Sequence, residues 1–345
     1  MNFASDNTTG ASPEILEALI KANSGSTMPY GNDQYTTLAT QMIQELFEKE
    51  AQVFFVSTGT AANSIAISTL SRSYGSVLCH WNSHIYEDEC GAPEFFTGGA
   101  KLVPLKGKLA KIDLKDLQRH GIRGRGDVHM VQPSVVSITQ TTEIGTVYTI
   151  SEVTEIGAFC KENGLKFHMD GARFANAIAT LKCSPAEVTW KAGVDVLSFG
   201  ASKNGALAAE AVIFFDNSMK KEFEFRRKRG GHLFSKMRFL ACQIEAYLKN
   251  DLWLSNAHHA NNAAFLLKDG LDKVNSIQFP NPVESNMLFP HVPENIKNAL
   301  CDSGFQFYDD RWDPGVLRLV TAFNTKLEDV KSFVSCALKS EGLPE

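Results

Sequence analysis

The stretch LKFHMDGARFANA, residues 165–177, decides the fold. An apolar run at residues 166–169 reads as a buried strand, and Asp170 follows it directly. Parallel α/β sheets bind their ligands beyond the carboxyl ends of the strands, so Asp170 is placed at a ligand-binding edge. The alternative is that Asp170 only caps a helix beginning at Ala172.

The same pattern recurs along the first two thirds of the chain. Short apolar runs alternate with helical or turn-rich stretches, which predicts a mostly parallel sheet covered by helices on both faces. The seven predicted strands lie at residues 53–56, 77–79, 102–105, 135–138, 166–169, 194–199 and 211–215.

Helical periodicity fills the stretches between and before these strands. The first helix starts at a Ser-Pro pair, and Leu16 and Ile20 are expected on its inward face. A second helix is predicted at residues 37–49, with Leu38 also inward. Ser151 is expected to cap the helix that precedes the strand at residues 166–169.

The chain of 345 residues exceeds the usual size of one hydrophobic core. After residue 215, long helical patterns are followed by short strands mixed with helices. We therefore expect a large α/β domain at residues 1–250, which includes the N-terminal segment, and a small α+β domain at residues 251–345.

Composition excludes several functional classes. With 34 Lys and Arg against 39 Asp and Glu, the formal charge of −5 gives no electrostatic reason to bind nucleic acid or an anionic membrane. No apolar stretch approaches the roughly 20 residues that span a bilayer, and no secretory signal is recognised. Seven scattered cysteines without a C-x-x-C pair indicate reduced thiols, so a cytoplasmic location is predicted.

Two predicted strands are followed by groups suited to cofactor chemistry. Gly59 and Thr60 open a helix after the first strand, where free N–H groups bind phosphate; the alternative is an ordinary capped turn. Lys203 follows the strand at residues 194–199, and desolvation there would make its amine nucleophilic; the alternative is a surface lysine.

Other polar residues allow both a functional and a structural interpretation. The His84 imidazole could stack on a cofactor ring or act as an acid or base. The alternative is a histidine with a purely structural role. Arg318 alternates with apolar neighbours on a strand, so its guanidinium suits two-point binding of a carboxylate. Its alternative is an ion pair with Asp309, Asp310 or Asp313. The basic run at residues 226–229 is expected on the solvated face of a helix.

In order and spacing, eight motifs resemble the low-specificity L-threonine aldolases, pyridoxal-phosphate enzymes of the aspartate aminotransferase (type I) fold. The motifs are FASDNTTG, MPYGNDQYT, STGTAANSIA, SHIYEDECGAPE, HMDGARFANA, SFGASKNG, SKMRFLA and LRLVTAF. The resemblance covers essentially the whole chain. The run HMDGAR, followed about thirty residues later by a serine–lysine pair, is its most specific part.

The resemblance implies a set of cofactor-binding residues. Lys203 would hold pyridoxal 5'-phosphate covalently, Asp170 would pair with the pyridine nitrogen, and His84 would stack on the ring. Gly59 and Thr60 would hold the phosphate. No metal ion is implied.

A second implied set binds the amino-acid substrate. Ser5 and Arg318 would bind the substrate carboxylate, and Arg173 would lie near that carboxylate or near the phenolic oxygen of the ring. Tyr30 would line the site from a neighbouring subunit, and His129 would approach the substrate hydroxyl.

Two points stay open within the resemblance. Many members of the family have a glycine triplet before a Met-Arg pair, whereas this chain has GGHLFSKMR, so Arg238 and Arg229 compete as the phosphate-binding arginine. The base that removes the hydroxyl proton is His84, Glu89, His129 or a bound water.

The implied activity is retro-aldol cleavage of L-threonine, L-allo-threonine and related β-hydroxy amino acids to glycine and an aldehyde. The implied assembly is a homo-oligomer, a dimer or a dimer of dimers, with active sites at the subunit interface. The alternatives are a β-eliminating lyase or an aminotransferase of the same fold, and a non-catalytic scaffold.

Overall fold

A seven-stranded sheet forms the centre of the protein in the computed structural model, which describes residues 1–343. The strand order is β1-β7-β6-β5-β4-β2-β3, and only β7 runs antiparallel to its neighbours. This confirms the predicted mostly parallel sheet of seven strands. The strands are β1 Gln52–Val56, β2 Gly75–His80, β3 Lys101–Leu105, β4 Gln132–Thr139, β5 Lys166–Gly171, β6 Val196–Gly200 and β7 Glu210–Phe214.

Helices follow most of these strands and also fill the C-terminal third. Within the described chain none of them is both long and apolar enough to cross a membrane. Their bounds are α1 Pro13–Ala22, α2 Gln34–Leu46, α3 Gly59–Leu70, α4 His84–Glu87, α5 Ala92–Thr97, α6 Leu114–Gly121, α7 Ile150–Glu162, α8 Phe174–Leu181, α9 Lys220–Arg229, α10 Arg238–Leu248, α11 Leu252–Leu271, α12 Glu294–Asp302 and α13 Leu327–Ser340.

Both faces of the sheet are buried, as its apolar strands predict. In β4, Val136 packs into the large core, while the adjacent Val135 packs into a separate cluster on the opposite face. Successive side chains of a strand point to opposite faces, so an apolar run is needed to fill two cores at once.

A second core lies in the C-terminal third. It includes Leu300 and Phe333, and it is bordered by a short antiparallel pair, β8 Met287–Leu288 and β9 Leu319–Val320. Helix α11 contributes to both cores, because Trp253 packs in the large core and Leu267 in the small one. The domain division at residue 250 stays a prediction.

The burial expected for three apolar residues of the N-terminal helices is wrong. Leu16, Ile20 and Leu38 are 46%, 75% and 42% exposed. In α1 only Ile15 and Ala22 are buried, so most of its apolar surface is left uncovered within this chain.

Two helix starts also differ from the predictions. Helix α2 begins at Gln34, since Asp33 accepts a hydrogen bond from the Thr36 amide. Thr149, not Ser151, caps α7: its hydroxyl accepts from the Glu152 amide, and the Glu152 carboxylate accepts from the Thr149 amide. This reciprocal pair requires an acidic residue three positions after the cap, which Thr149 has.

The basic run at the end of α9 is not wholly solvated as expected. Arg227 is buried, and it donates a hydrogen bond to the Phe55 carbonyl oxygen at 3.3 Å. Its guanidinium also lies 5.1 Å from the centre of the Phe54 ring.

Candidate active site

A cavity of about 310 Å³ opens at the carboxyl edge of the sheet. The start of α3 forms one end of it. Thr58 caps this helix by accepting a hydrogen bond from the Ala61 amide at 3.1 Å. The Gly59 and Thr60 amides donate no hydrogen bond within residues 1–343. Two free N–H groups at the positive dipole end of a helix can bind an anion.

Asp170 lies at the end of β5, between Thr139 of β4 and Ser198 of β6. One of its carboxylate oxygens accepts from the Ala172 amide at 3.0 Å, and the other accepts from the Asn63 side-chain amide at 2.9 Å. Helix α8 begins only at Phe174, so Asp170 is not its N-cap. The carboxylate is buried but lines the cavity.

Asn63 links Asp170 to a second buried carboxylate. Its amide nitrogen also donates to Glu89 at 2.9 Å, and Glu89 in turn bonds His84 Nδ1 at 3.0 Å. Burial acts to lower the pKa of His84, but the hydrogen bond to Glu89 and the carboxylates of Glu143 and Asp170 raise it above its usual value. His84 is thereby favoured as a cation.

The Asp170, Glu89 and His84 side chains offer polar atoms that lie within 4.8 Å of one another. These atoms are already engaged with Asn63 or with each other. The absence of a metal ion from the chemistry stays a prediction.

Lys203 lies on a short 3₁₀ turn, Ser202–Asn204, directly after β6. Hydrogen bonds hold this turn in place, because the Asn204 side-chain amide donates to the Tyr247 hydroxyl and to the Trp253 carbonyl oxygen, both at 2.7 Å. The Lys203 amine forms neither a hydrogen bond nor an ion pair in the described part of the chain, and it lines the cavity. It is therefore available to a ligand.

Two neighbours hold this turn in place. Gly205 has a φ of +112°, and a Cβ there would lie 2.3 Å from the Ser12 hydroxyl, so only glycine fits. Glu210 accepts from the Ala201 amide at 2.8 Å. Burial raises the pKa of Glu210 to about 7, against the opposing effects of Ser202, the Ala201 amide and Lys203.

A second cavity of about 460 Å³ adjoins the first, and Lys203, His84 and Asn7 line both. Arg318 lies on its wall. The described chain forms no ion pair between Arg318 and Asp309, Asp310 or Asp313. The Asp309 carboxylate binds Lys297 instead, at 3.2 Å. Burial, and then the charge of Arg173, lower the pKa of Arg318. Its guanidinium thus faces the cavity without an anionic partner.

The N-terminal segment supplies residues that sequence reasoning missed. Ser5 lines the second cavity as predicted, but the adjacent Asp6 forms a buried, two-point ion pair with Arg173, at 2.7 and 2.9 Å. The Asn286 side-chain amide donates to the same carboxylate at 3.1 Å. Despite burial, the Arg173 charge holds the pKa of Asp6 below its usual value.

We expect Asp6→Asn to lower the free energy of unfolding by roughly 3–5 kcal/mol at pH 7, because it leaves the Arg173 guanidinium buried and unpaired. The depressed pKa of Asp6 means that its stabilisation is present above its unfolded-state pKa of about 3.9 and is lost as the pH falls through the lower folded value. The difference between wild type and variant should therefore shrink in acid.

Urea titrations of both proteins at pH 7 and below pH 4 would measure this. Glu48→Gln is the control, because the Glu48–Lys191 pair is exposed and screened by solvent, so its loss should change the free energy of unfolding far less. Equal losses for both variants would contradict the assignment of a buried, structural ion pair.

Several predicted site residues do not line either cavity. His129 is exposed in the turns before β4, and Tyr30 is 46% exposed. Arg238 starts α10 and donates to the Gly25 carbonyl oxygen at 3.1 Å, while Arg229 lines a different groove. Within this chain, then, neither arginine reaches the anion-binding site, and His129 does not approach the second cavity.

A sequence model described as beta-eliminating lyase matches residues 2–295. The chain belongs to the beta-eliminating lyase family. A low-specificity L-threonine aldolase of Pseudomonas aeruginosa is 44% identical to this chain over 329 residues, which is 95% of this chain and 94% of the relative. Another from a Pseudomonas species is 45% identical over 306 residues, 89% of this chain and 88% of the relative.

A solved structure supports the same family at the level of the fold. The threonine aldolase of Leishmania major superimposes with a TM-score of 0.93 and 32% identity, covering 99% of each chain. The fold of that threonine aldolase therefore extends over nearly all of this chain.

Proposed function

We propose that this protein is a pyridoxal-phosphate-dependent L-threonine aldolase that cleaves L-threonine, L-allo-threonine and related β-hydroxy amino acids to glycine and an aldehyde. One observation supports this most directly: the free Lys203 amine opens onto both cavities. One cavity has an anion site and a buried carboxylate, and the other has an unpaired arginine. The extensive identity with the Pseudomonas aldolases supports the substrate class.

The residues of the first cavity fit the cofactor. The Gly59 and Thr60 amides would hold the phosphate, and the Asp170 carboxylate would pair with the protonated pyridine nitrogen. Lys203 would bind the aldehyde group covalently, with His84 stacked on the ring. When bound, pyridoxal phosphate supplies an electron sink that allows a bond at the substrate Cα to break.

The second cavity would orient the amino acid. Arg318 and Ser5 would bind the carboxylate shared by all substrates, and Arg173, whose charge Asp6 balances, would lie near that carboxylate or near the phenolic oxygen of the ring. The substrate carboxylate would lie at Arg318, and the substrate amine would point to Lys203, which both cavities share. The β-carbon would then extend into the rest of the second cavity. Such fixed orientation is a large part of catalysis for a reaction that needs one bond perpendicular to a ring.

Incubation with L-threonine tests the proposal. Acetaldehyde and glycine are expected, whereas 2-oxobutyrate and ammonia would indicate a β-eliminating lyase, and transfer of the amine to a keto acid would indicate an aminotransferase. A colourless protein that borohydride does not modify would indicate a scaffold without the cofactor.

Arg318→Lys should lower kcat/KM by tenfold or more, because lysine keeps the charge but loses two-point binding of the carboxylate. The loss should be similar for threonine, allo-threonine and phenylserine, since the missing contact is common to all three. Steady-state kinetics and thermal melts measure both effects. A variant that melts early yet turns over normally when folded would instead make Arg318 structural.

We also propose a homo-oligomer, a dimer or dimer of dimers, whose neighbouring subunits complete each site. The exposed Leu16, Ile20 and Leu38 would lie at the subunit interface, and Tyr30, His129 and an arginine, Arg229 or Arg238, would reach the neighbour's cavities. Mixed Lys203→Ala and Tyr30→Ala subunits, each inactive alone, should regain partial activity as hybrids. A fully active monomer in sedimentation would contradict this proposal.

We also propose that the reaction takes place in the cytoplasm. All seven cysteines are free, which supports a cytoplasmic location. Because one product is glycine, the enzyme would contribute to glycine formation and to threonine breakdown.

A further inference from the structure

The second cavity contains a carboxylate, Glu143, that binds neither another residue of the described chain nor the proposed cofactor. Glu143 lies in the turn that follows β4, and it shares the cavity wall with His84, Lys203 and Arg318. It is partly buried, and within residues 1–343 it forms no hydrogen bond and no ion pair.

The turn that presents Glu143 is fixed at both ends. The Gly145 amide donates to the Thr142 carbonyl oxygen at 2.9 Å, and the Thr142 amide donates to the Thr146 carbonyl oxygen at 2.9 Å. The Thr146 hydroxyl donates to the Leu109 carbonyl oxygen at 2.6 Å. Gly145 has a φ of +80°, and a Cβ there would lie 2.9 Å from the Met287 carbonyl oxygen. The backbone below Glu143 is therefore held against both halves of the molecule.

Positive groups surround this carboxylate from several elements. Its charge acts on His84 of α4, on Arg173 before α8, and on Arg311 and Arg318 of the C-terminal third. Arg173 is already paired with Asp6, and Arg311 with Asp88.

The other candidate bases fit less well. Glu89 is buried and lines only the first cavity, where its carboxylate contacts Asn63 and Ser64. His84 is already engaged through Nδ1 with Glu89, and its ring is the group expected to stack on the cofactor. His129 lies outside the cavity of its own chain and would reach a site only from a neighbouring subunit, whereas Glu143 lines the cavity of its own chain.

Building on the proposed aldolase function, we infer that Glu143 is the catalytic base that takes the proton from the substrate β-hydroxyl. With the carboxylate of the substrate at Arg318, the hydroxyl lies in the remaining space of the cavity that Glu143 lines. The O–H proton passes to the Glu143 carboxylate, and the oxygen forms the carbonyl of the aldehyde as the Cα–Cβ bond breaks. The electron pair of that bond ends in a new Cα–H bond, so one proton leaves oxygen and one reaches Cα.

The test compares two reactions of the cofactor-loaded enzyme. Glu143→Gln keeps the shape but removes the base, so threonine turnover should fall by about 100-fold or more, the usual contribution of a general base. Exchange of the glycine α-proton with D₂O, followed by NMR, involves no hydroxyl and should stay within about threefold of wild type. Glu143→Ala should regain part of its threonine turnover when formate is added.

Glu155→Gln, an exposed substitution on α7, is the control and should leave both reactions unchanged. The inference is overturned if Glu143→Gln cleaves threonine at near the wild-type rate, which would point to a bound water. It is also overturned if cleavage and exchange fall together, since Glu143 would then act on the cofactor site. A wild-type enzyme that exchanges glycine but does not cleave threonine would instead contradict the proposed function.

Discussion

Lys203→Ala should fold, bind pyridoxal phosphate without a covalent bond, and lose turnover by a factor on the order of 10⁴ or more, as removal of a covalent catalytic group commonly does. Folding should survive because the Lys203 side chain makes no hydrogen bond and projects into a cavity. The supports of its turn, Asn204 and Glu210, are untouched by the change.

Two measurements establish the effect. Steady-state threonine cleavage gives the loss of turnover, and peptide mass mapping after borohydride reduction locates the cofactor. The wild-type protein should hold it on Lys203 and the variant on no residue. Lys236→Ala, an exposed lysine outside both cavities, serves as the control. A reduced adduct on another lysine of the wild-type protein would refute the assignment.

Asp170→Asn should lower kcat by about 10³, which corresponds to roughly 4 kcal/mol of transition-state stabilisation. An amide cannot keep the pyridine nitrogen protonated, so the electron sink is weakened. The turn should survive, because the new carbonyl oxygen can still accept from the Ala172 amide. The Asn63 side-chain amide keeps its hydrogen bond to Glu89 and loses only the one to residue 170.

The visible absorption spectrum of bound cofactor should shift with this variant, while the thermal melt stays close to that of wild type. Asp216→Asn, beyond the end of β7 at the opposite edge of the sheet, should change neither. If Asp170→Asn turned over at a near-normal rate, the role of Asp170 would be structural: it would only accept the hydrogen bond from the Ala172 amide.

Sequence reasoning located the strands and the residues that follow them. Buried strands need continuous apolar runs, and residues such as Asp170 and Lys203 are found at the ends of these runs. Contacts between residues that are far apart in the sequence could not be predicted in this way. Asp6 and Arg173 are 167 positions apart, and Asn63 contacts Asp170 across 107 positions. Nothing local in the sequence indicates these pairs.

Helical periodicity also led to a wrong prediction of burial where apolar residues lie on the surface of the chain. Leu16 and Ile20 repeat at helical spacing like core residues, yet they face outward in α1. A helical pattern specifies that a face will be covered, but not whether the same chain covers it. The resemblance to the threonine aldolases likewise assigns His129 to an active site. It does not indicate whether that site belongs to the same subunit or to a neighbouring one.

The placement of the N-terminal segment has a consequence for the order in which the protein becomes active during synthesis. The Phe3 amide donates to the Gln306 carbonyl oxygen, and the Phe3 carbonyl accepts from the Val320 amide. Two residues later, Ser5 and the Asp6–Arg173 pair help to form the substrate cavity. Phe3 is thus synthesised about 300 residues before Gln306 and Val320, with which it pairs. Closing such a long loop is entropically costly and slow, so a nascent chain with a complete sheet would still lack a substrate site.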